Sequence, residues 1–397
     1  MQTYWIWYAQ RSVSDRCKRE LLEHFRDAEE IYTASEQGLR QVPDITEEAL
    51  QTLLDKDLTE ARRVDNLCRR THISLLTFTD DRYPARLRNL PDAPVVLYYQ
   101  GKLPDWNNTP VIGIVGTRRS TSYGNELAAS MSAQIAQCGG MVVSGGAKGI
   151  DTVALENALA VGGTVVAVLA GGLDRPYPAV NIPLFRRMCL TGCLLSEYAP
   201  GVASNSWHFP LRNRIISGIS DGLLVVEAPA KSGALITARH ALEQGRDVFS
   251  VPGSITSPTS EGTNALLREG ARAALSGWDV IKEYETQYPD KIRRYTAPGK
   301  TEQPAPKVAQ KPKLPDPADK KSIDKLEKST YSGAHTACAA LTEQEKTLVG
   351  CIAAGGSLMD DVIAQSGINA AEAKKILTKL ALRKVLVLHP GGRVTLK

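Results

Sequence analysis

Residues 111–127 read VIGIVGTRRSTSYGNEL, an apolar run that passes through a glycine into two adjacent arginines and then into a helix-like pattern. Further apolar runs follow, separated by stretches of helical periodicity; these runs are MVVSGG, TVVAVLAGG, CLLSEY, GLLVVEA and DVFSVPG. Continuous apolar runs are typical of parallel strands that helices cover on both faces. The alternation therefore predicts a doubly wound, parallel α/β sheet over residues 111–280.

The sequence around this α/β region predicts further domains. Residues 1–75 contain helical stretches that begin near Ser, Thr or Asp, which predicts an all-α N-terminal domain. Residues 76–284 are assigned to the core, because two short β-rich runs precede the first long strand. Residues 285–340 are rich in Pro and Lys and poor in apolar side chains, which predicts a flexible linker. Residues 341–397 read as three helices and two short strands, the order of a winged helix.

The composition argues against several classes of protein. The net charge of +5 is modest, and its excess lies in the C-terminal third, where it fits nucleic acid or simply a solvated surface. The seven cysteines form no C-x-x-C pair, so neither a zinc site nor a redox motif is expected. The sequence shows no membrane-spanning apolar run and no secretory signal, which predicts a soluble, cytoplasmic protein without a membrane partner.

The loops after the six predicted strands read GTRRS, SGGAKGID, GGLDRPYP, EYAPG, EAPAKSG and VPGS. In an open parallel sheet these loops meet at the edge where ligands bind. Every loop contains glycine, which lets backbone N–H groups approach an anion, and four loops carry Arg or Lys. The sequence therefore predicts that this edge binds a polyanion.

The segment NSWHFPLRNR, residues 205–214, adds to the same edge. Arg212 and Arg214 flank Asn213 at a predicted helix start, where guanidinium groups can fork phosphate oxygens. Trp207 and the two residues after it could stack a nucleic-acid base, although a lid on the hydrophobic core is the favoured alternative for Trp207.

Catalytic motifs are absent from the sequence. It contains no G-x-x-x-x-G-K-[ST] loop, no nucleophile elbow and no zinc signature. Thr117 and Arg118 also place bulk where a dinucleotide fingerprint requires glycine. We therefore expect no catalytic residue, no metal and no cofactor.

Seven sequence blocks, in order, resemble those of one bacterial family; they are IVGTRRSTSYG, VSGGAKGIDTVAL, AVLAGGLDRPYPAVN, LLSEYAPG, FPLRNRIISGIS, LLVVEAPAKSGALITARHALEQGRDVFSVPGSI and EGTNALLREGA. This is the DNA-processing family DprA, also called Smf. The resemblance implies an extended Rossmann-like core, a SAM- or helix-hairpin-helix-like N-terminal domain and a DprA-type winged helix. It also implies a non-enzymatic, single-stranded-DNA-binding protein of natural transformation and competence that protects incoming DNA and loads the recombinase RecA. The core would form a homodimer, and the winged helix would bind duplex DNA or a protein.

The resemblance further implies a DNA site built from the glycine loops and the FPxRNR block. By motif position and loop neighbourhood, the expected DNA-binding residues are Gly116, Thr117, Arg118, Arg119, Ser144, Gly145, Lys148, Gly149, Arg212, Asn213, Arg214 and Lys231. Arg118 is the principal candidate, with a salt bridge to Asp151 or Asp174 as its alternative, while the direction of Arg119 is open. Lys148 stands where the family usually has arginine, which keeps the charge but removes the planar fork.

Two other functions stay open from the sequence. A phosphoribohydrolase-like enzyme would hold a nucleoside monophosphate in the same loops, with Glu197 or Glu227 at the sugar, but the PGGxGTxxE-type run that it requires is not found. A sequence-specific regulator would instead act through the winged helix, with phosphate contacts from Lys374, Lys375, Lys379, Arg383 and Lys384. A solvated helix face is an equally open interpretation of these five cations.

Structural roles are expected for two acidic residues near these loops. Asp151 is expected to cap the helix that begins beside it. Glu227 ends a buried strand and is expected to pair with Arg212 or Arg214.

Overall fold

A computed structural model describes residues 2–43, 45–294, 342–353, 359–382, 385–389 and 393–396. They fall into two compact units, one with the described residues up to 294 and one with those from 342 onward. The helices of the first unit are α1 Gln2–Gln10, α2 Asp15–His24, α3 Ala28–Thr33, α4 Glu36–Leu39, α5 Glu47–Leu54, α6 Thr59–Thr71, α7 Ala85–Arg88, α8 Ser122–Gln137, α9 Ile150–Ala160, α10 Ile182–Met188, α11 His208–Ile219, α12 Gly233–Glu243, α13 Glu261–Arg268 and α14 Gly277–Ile281. Its strands are β1 Ser74–Thr77, β2 Val96–Gly101, β3 Val111–Val115, β4 Met141–Ser144, β5 Val165–Val168, β6 Cys193–Ser196, β7 Gly222–Val225, β8 Asp247–Ser250 and β9 Arg272–Ala273.

The strands of the first unit form one sheet in the order β1-β2-β6-β5-β4-β3-β7-β8-β9. From β6 to β9 every neighbouring pair is parallel, whereas β2 pairs antiparallel with both β1 and β6. Strands β3 to β8 coincide with the six predicted apolar runs, so the predicted α/β class is confirmed. The two-residue strand β9 was not predicted, because it is exposed and too short to carry a hydrophobic pattern.

An apolar core lies on each face of this sheet. Ile112 of β3 belongs to a core that includes Met131 of α8. The preceding residue, Val111, belongs to a second core that includes Ile215 of α11 and Ala238 of α12. Successive strand residues point to opposite faces, so a strand covered on both sides must be apolar throughout. The helices therefore enclose the sheet as a doubly wound fold requires.

The first 71 residues are largely helical and pack against the sheet. Ser14, Asp27 and Thr46 each accept hydrogen bonds from N–H groups in the first turn of α2, α3 and α5, which fixes where these helices begin. Trp7 and its apolar neighbours join the core that contains Ile112. The segment therefore shares a core with the sheet, and its relation to SAM or helix-hairpin-helix domains stays a prediction.

Residues 285–294 belong to the first unit, which corrects the predicted linker start at residue 285. Tyr288 is buried, and its hydroxyl donates a hydrogen bond to Asp221 at 3.1 Å. The N–H of Arg293 donates to the carbonyl of Cys138 at 2.9 Å. The rest of the predicted linker, residues 295–340, lies outside the described residues.

The second unit contains the helices and strands α15 Glu343–Ala353, α16 Met359–Ser366, α17 Ala370–Leu382, β10 Leu386–His389 and β11 Arg393–Leu396. The two strands pair antiparallel, and a small core contains Leu348, Val362 and Leu377. This is the predicted element order, while its identity as a winged helix stays a prediction. Lys379 lies 3.4 Å from Glu345. Of the other cations predicted to contact phosphates, Lys374 and Lys375 are exposed, whereas Arg383 and Lys384 lie outside the described residues.

Candidate functional site

A cleft of about 530 Å³ lies where the strand order reverses, because β4 and β7 flank β3 on opposite sides. Its walls are the loops after β3, β4 and β7 together with the first turns of α11 and α12. A cavity of about 90 Å³ adjoins it and shares Arg118, Ala147, Phe209 and Arg212 with it. Ligands of open α/β sheets bind at such a reversal point, because two loops diverge there and leave a crevice.

The structure brings most of the predicted site residues to these two cavities. The large cleft is lined by Gly116, Thr117, Arg118, Arg119, Arg212, Asn213 and Lys231, and the small cavity by Gly145 and Lys148 as well as Arg118 and Arg212. Ser144 is fully buried, and its hydroxyl donates to the carbonyl of Ile114 at 2.6 Å. It therefore ties β4 to β3 and does not face a ligand.

Backbone contacts lock the loops after β3, β4 and β7 together. The N–H of Thr117 donates to the carbonyl of Glu227 at 2.7 Å, and the N–H of Ile150 donates to the carbonyl of Thr117 at 3.2 Å. Gly149 has φ +81°, and a Cβ at this position would overlap the backbone of Thr117 and Arg118. Glycine is therefore required at residue 149 by both its backbone conformation and the close approach of the two loops.

Four exposed cations surround the two cavities: Arg118, Arg119, Lys148 and Lys231. Within the part of the chain that the structure describes, none of the four forms an ion pair. The alternative of a salt bridge from Arg118 to Asp151 or Asp174 is therefore not observed. The Arg118 guanidinium carbon instead lies 4.8 Å from the centre of the Phe209 ring, a cation–π contact that leaves its charge uncompensated. Unpaired cations in a concave site produce a positive field that attracts anions.

Arg212 forms the floor of the cleft, and the protein itself holds part of its guanidinium group; its predicted contact with a phosphate stays a prediction. It is buried, and its Nη1 donates to the carbonyl oxygens of Gly145, at 2.7 Å, and Val168. Burial lowers the pKa of Arg212 to about 10, a shift that the neighbouring Asp151 carboxylate opposes. The side chain stays charged at neutral pH and connects the loop after β4 to the last residue of β5.

Asp151 stabilises the loop after β4, and its predicted role as the cap of helix α9 is wrong. Its carboxylate accepts hydrogen bonds from the N–H groups of Gly145, at 3.1 Å, and Ala147, at 3.3 Å. The N-cap position of α9 is Gly149, which has no side chain. Burial raises the pKa of the Asp151 carboxyl, and the Arg212 guanidinium opposes this shift. Asp151 and Arg212 together fix the shape of the cleft wall.

Arg214 does not line the cleft, contrary to the sequence prediction. Two residues along a helix correspond to a rotation of about 200°, so Arg212 and Arg214 leave α11 on opposite faces. The buried Arg214 guanidinium pairs with Glu197 at 2.8 Å, Asp15 at 3.3 Å and Asp92 at 3.5 Å. It therefore joins α11 to the N-terminal helix α2.

The two acidic residues considered for catalysis are also absent from the lining of the cleft. Glu197 is held by Arg214, and burial raises its pKa to about 7. Glu227 accepts hydrogen bonds from the N–H and the hydroxyl of Thr121, at 2.9 and 2.8 Å. Its predicted pairing with Arg212 or Arg214 is therefore wrong, and it stabilises the turn before α8.

The three ring-bearing residues at the start of α11 have different surroundings. His208 is buried. Phe209 lies between the Arg118 guanidinium and Tyr177, whose ring centre is 5.9 Å away. Trp207 is 61% exposed, which excludes the alternative of a lid buried in the core.

The start of α12 is the part of the site that sequence reasoning missed. Ser232, Gly233 and Ala234 line the cleft, and the Ser232 hydroxyl accepts from the N–H of Ala234 at 3.3 Å. The first turn of this 11-residue helix adds N–H groups and partial positive charge to the wall. The available signal was the serine of EAPAKSG followed by helical periodicity, which is the pattern of a capped helix start.

Among the described residues, no group of three or more His, Cys, Asp or Glu side chains could hold a metal ion. Over the same residues, no helix combines the length and the apolar character needed to cross a membrane.

The family model described as DNA recombination-mediator protein A matches residues 74–285. The DNA processing protein DprA of Bacillus subtilis is 38% identical over 250 residues, which cover 63% of this chain and 83% of that protein. The solved structure of DprA from Streptococcus pneumoniae aligns with a TM-score of 0.63 and 32% identity, over 74% of this chain and 99% of that one. DNA processing protein A from Helicobacter pylori, solved to give insight into its single-stranded DNA binding mode, aligns with a TM-score of 0.50 and 29% identity, over 54% and 97%.

The matched residues include all the loops and helix starts that form the cleft. The resemblance inferred from the seven blocks is thereby confirmed, and the mixed α/β, mostly parallel sheet resembles that of DprA. The chain belongs to the DNA recombination-mediator protein A family, which includes the DprA and Smf proteins.

Proposed function

We propose that the cleft binds single-stranded DNA independently of sequence. The observation that carries this proposal is a set of four exposed cations around glycine-rich loops that have no ion pair among the described residues: Arg118, Arg119, Lys148 and Lys231. Cations of this kind contact phosphates, which every DNA sequence carries. The single-stranded DNA binding mode described for the Helicobacter pylori relative supports the same ligand.

The spread of the cations favours a strand over a mononucleotide. Arg119 and Lys231 line the large cleft, Lys148 lines the small cavity, and Arg118 lines both. One phosphate could engage only part of this set, whereas successive phosphates of a strand could engage all of it. A groove that follows the backbone in this way is typical of non-specific single-strand binding.

A phosphoribohydrolase-like activity is disfavoured by the position of the acidic residues. Such an enzyme would require a carboxylate beside the sugar, but the partly buried Glu197 is held by Arg214 and the buried Glu227 is held by Thr121. Asp151 lines the cleft, but its carboxylate is engaged by two backbone N–H groups. We propose that the protein binds DNA without chemical conversion.

Family membership supports a wider role in recombination. We propose that the protein acts in the cytoplasm, protects incoming single strands during natural transformation, and loads the recombinase RecA onto them. A homodimer formed through the core would present two clefts to one strand. The C-terminal helices and strands would act as a winged helix that contacts duplex DNA or a protein.

Binding of a fluorescent oligonucleotide at two salt concentrations tests the proposed site. Arg118→Glu and Lys148→Glu are each expected to weaken binding at least about tenfold, equally for unrelated sequences, because a phosphate contact becomes a repulsion. Arg26→Glu provides the matched control, since Arg26 is highly exposed and lies in the N-terminal helical segment. Its affinity should equal that of the parent.

Equal affinity of the parent and of both cleft variants would show that DNA does not occupy this cleft. Incubation of the parent with nucleoside monophosphates tests the alternative enzyme. Release of free base would replace the binding proposal by a hydrolase.

A further inference from the structure

Trp207 differs from the other tryptophans of the chain in its exposure. Trp5, Trp7 and Trp106 are buried and Trp278 is half-buried, whereas Trp207 is 61% exposed. Tryptophan contributes most to stability when its large ring is removed from water. A tryptophan kept at the surface beside a ligand cleft therefore indicates a ring that is covered when the ligand binds.

The exposed ring rests on an ordered support. The Trp207 ring centre lies 4.0 Å from that of His208 in an edge-to-face arrangement, and His208 in turn stacks on Tyr198 at 4.0 Å. The buried His208 also places its Nδ1 3.1 Å from the carbonyl oxygen of Ala170, just after β5. Trp207 is thus presented by a helix start that is fixed to the sheet, which limits the entropy lost when a ligand stacks on it.

Trp207 lies next to the proposed path of the DNA backbone. Ser206 and Phe209, on either side of it in the chain, line the cleft. One face of Phe209 is occupied by the Arg118 guanidinium, and His208 is buried. Among these three consecutive rings, Trp207 therefore offers the open stacking surface.

We propose that Trp207 is a base-stacking platform at the rim of the cleft, which takes the base of a nucleotide adjacent to those whose phosphates meet the cations. This inference rests on the proposed function. Every base has a π-face, so the platform adds affinity without adding sequence preference. The cations hold the backbone, and the ring distinguishes a strand with bases from a bare polyanion.

The affinity test compares oligo(dT) with an abasic phosphodiester of the same length. Trp207→Ala is expected to weaken oligo(dT) binding roughly 5- to 100-fold, the range for the loss of one stacked base, and to leave abasic binding unchanged. Trp207→Phe keeps a ring and should retain most of the affinity. Leu275→Ala, which removes another exposed apolar side chain, should bind both ligands as the parent does.

Tryptophan fluorescence gives a readout that a merely structural role would not produce. Oligo(dT) should quench the parent's emission, because a base stacks directly on the exposed indole. The abasic strand should leave the emission almost unchanged. In Trp207→Phe the quenching should be lost while binding persists, since the other indoles are buried or half-buried.

The outcomes separate this inference from the proposed function. If the parent binds oligo(dT) and Trp207→Ala binds it equally well, with unchanged quenching, the platform is wrong and the cleft stands. If Trp207→Ala dissociates a dimer and keeps the DNA affinity of the parent, Trp207 belongs to a protein interface and the inference is overturned. If the parent binds neither ligand, the proposed function fails and this inference fails with it.

Discussion

The cleft lies on one side of helix α11, and the Arg214 cluster, formed by Arg214 with Glu197, Asp15 and Asp92, lies on the other. Both regions contain basic side chains. In the cleft, Arg118 and its neighbours are exposed and have no ion pair among the described residues. In the cluster, Arg214 is buried and meets Glu197, Asp15 and Asp92 within 3.5 Å. The surrounding carboxylates, more than the sequence motif, therefore decide whether a cation stabilises the fold or is available to a ligand.

The two regions also differ in the charge that they must balance. The cluster holds three carboxylates against Arg214 and the buried Lys18, whose pKa is lowered chiefly by burial. Loss of the buried Arg214 would leave these partly buried carboxylates without their shared cation, which is costly where water is partly excluded. The cleft cations are hydrated, so their removal affects the ligand and barely affects the fold.

The largest expected effect follows from removal of the central arginine of the cluster. Arg214→Ala should lower the free energy of unfolding by about 3 kcal/mol, because the partly buried carboxylates of Glu197, Asp15 and Asp92 lose the cation that they share. Urea unfolding measures the change. Arg118→Ala is the matched control and should stay within about 0.5 kcal/mol of the parent. Equal destabilisation by the two substitutions would remove the distinction between the regions.

The next effect concerns the backbone that shapes the cleft. Gly149→Ala should lower the free energy of unfolding by about 2 kcal/mol and weaken DNA binding, because its Cβ would displace the loop that carries Arg118. Gly162→Ala is a close control, since Gly162 has the same φ of +81° but no atom of the described residues within 4 Å of an added Cβ. Urea unfolding and DNA titration of both variants isolate the loop contact from the cost of the backbone conformation. Identical behaviour of the two variants would contradict the close loop approach.

A smaller effect should appear in the pH dependence of stability. Burial raises the pKa of Glu197 from its ordinary value of 4.5 to about 7, so the folded state holds a proton that the unfolded state releases between these values. The free energy of unfolding should therefore fall as pH rises through 7, by about 1 kcal/mol between about pH 6 and pH 8 from this group. Glu197→Gln does not titrate and should show a flatter profile in urea unfolding. Parallel profiles would indicate that Glu197 is ionised throughout this range.

The smallest expected effect concerns Lys148, where the family resemblance would place arginine. Lys148→Arg keeps the charge and adds a planar fork, so DNA affinity should rise by no more than about threefold while its salt dependence stays unchanged. Lys148→Gln should instead reduce the slope of log affinity against log salt by about 1, as expected for one lost phosphate contact. If neither substitution changes this slope, Lys148 does not contact a DNA phosphate.

The strands and the ligand-binding edge of the sheet could be predicted from the sequence, because their sequence patterns are local. The apolar runs predict β3 to β8, and a parallel sheet brings the loops after those strands to one edge. The motif around Arg118 likewise predicts an exposed loop cation. Tyr288 carried no such local signal, because its burial depends on a hydrogen bond to Asp221, which is distant in sequence.

The α/β class, the family and the position of glycine loops and cations at one edge of the sheet follow from the amino-acid sequence alone. Which of these cations lack an ion pair depends on how the chain folds. Arg212 and Arg214 share one motif, yet the 100° rotation per helical residue sends one to the floor of the cleft and the other to carboxylates from residues 15, 92 and 197. Ion pairing depends on distances of a few ångströms between such remote residues, and these distances exist only once the chain has folded.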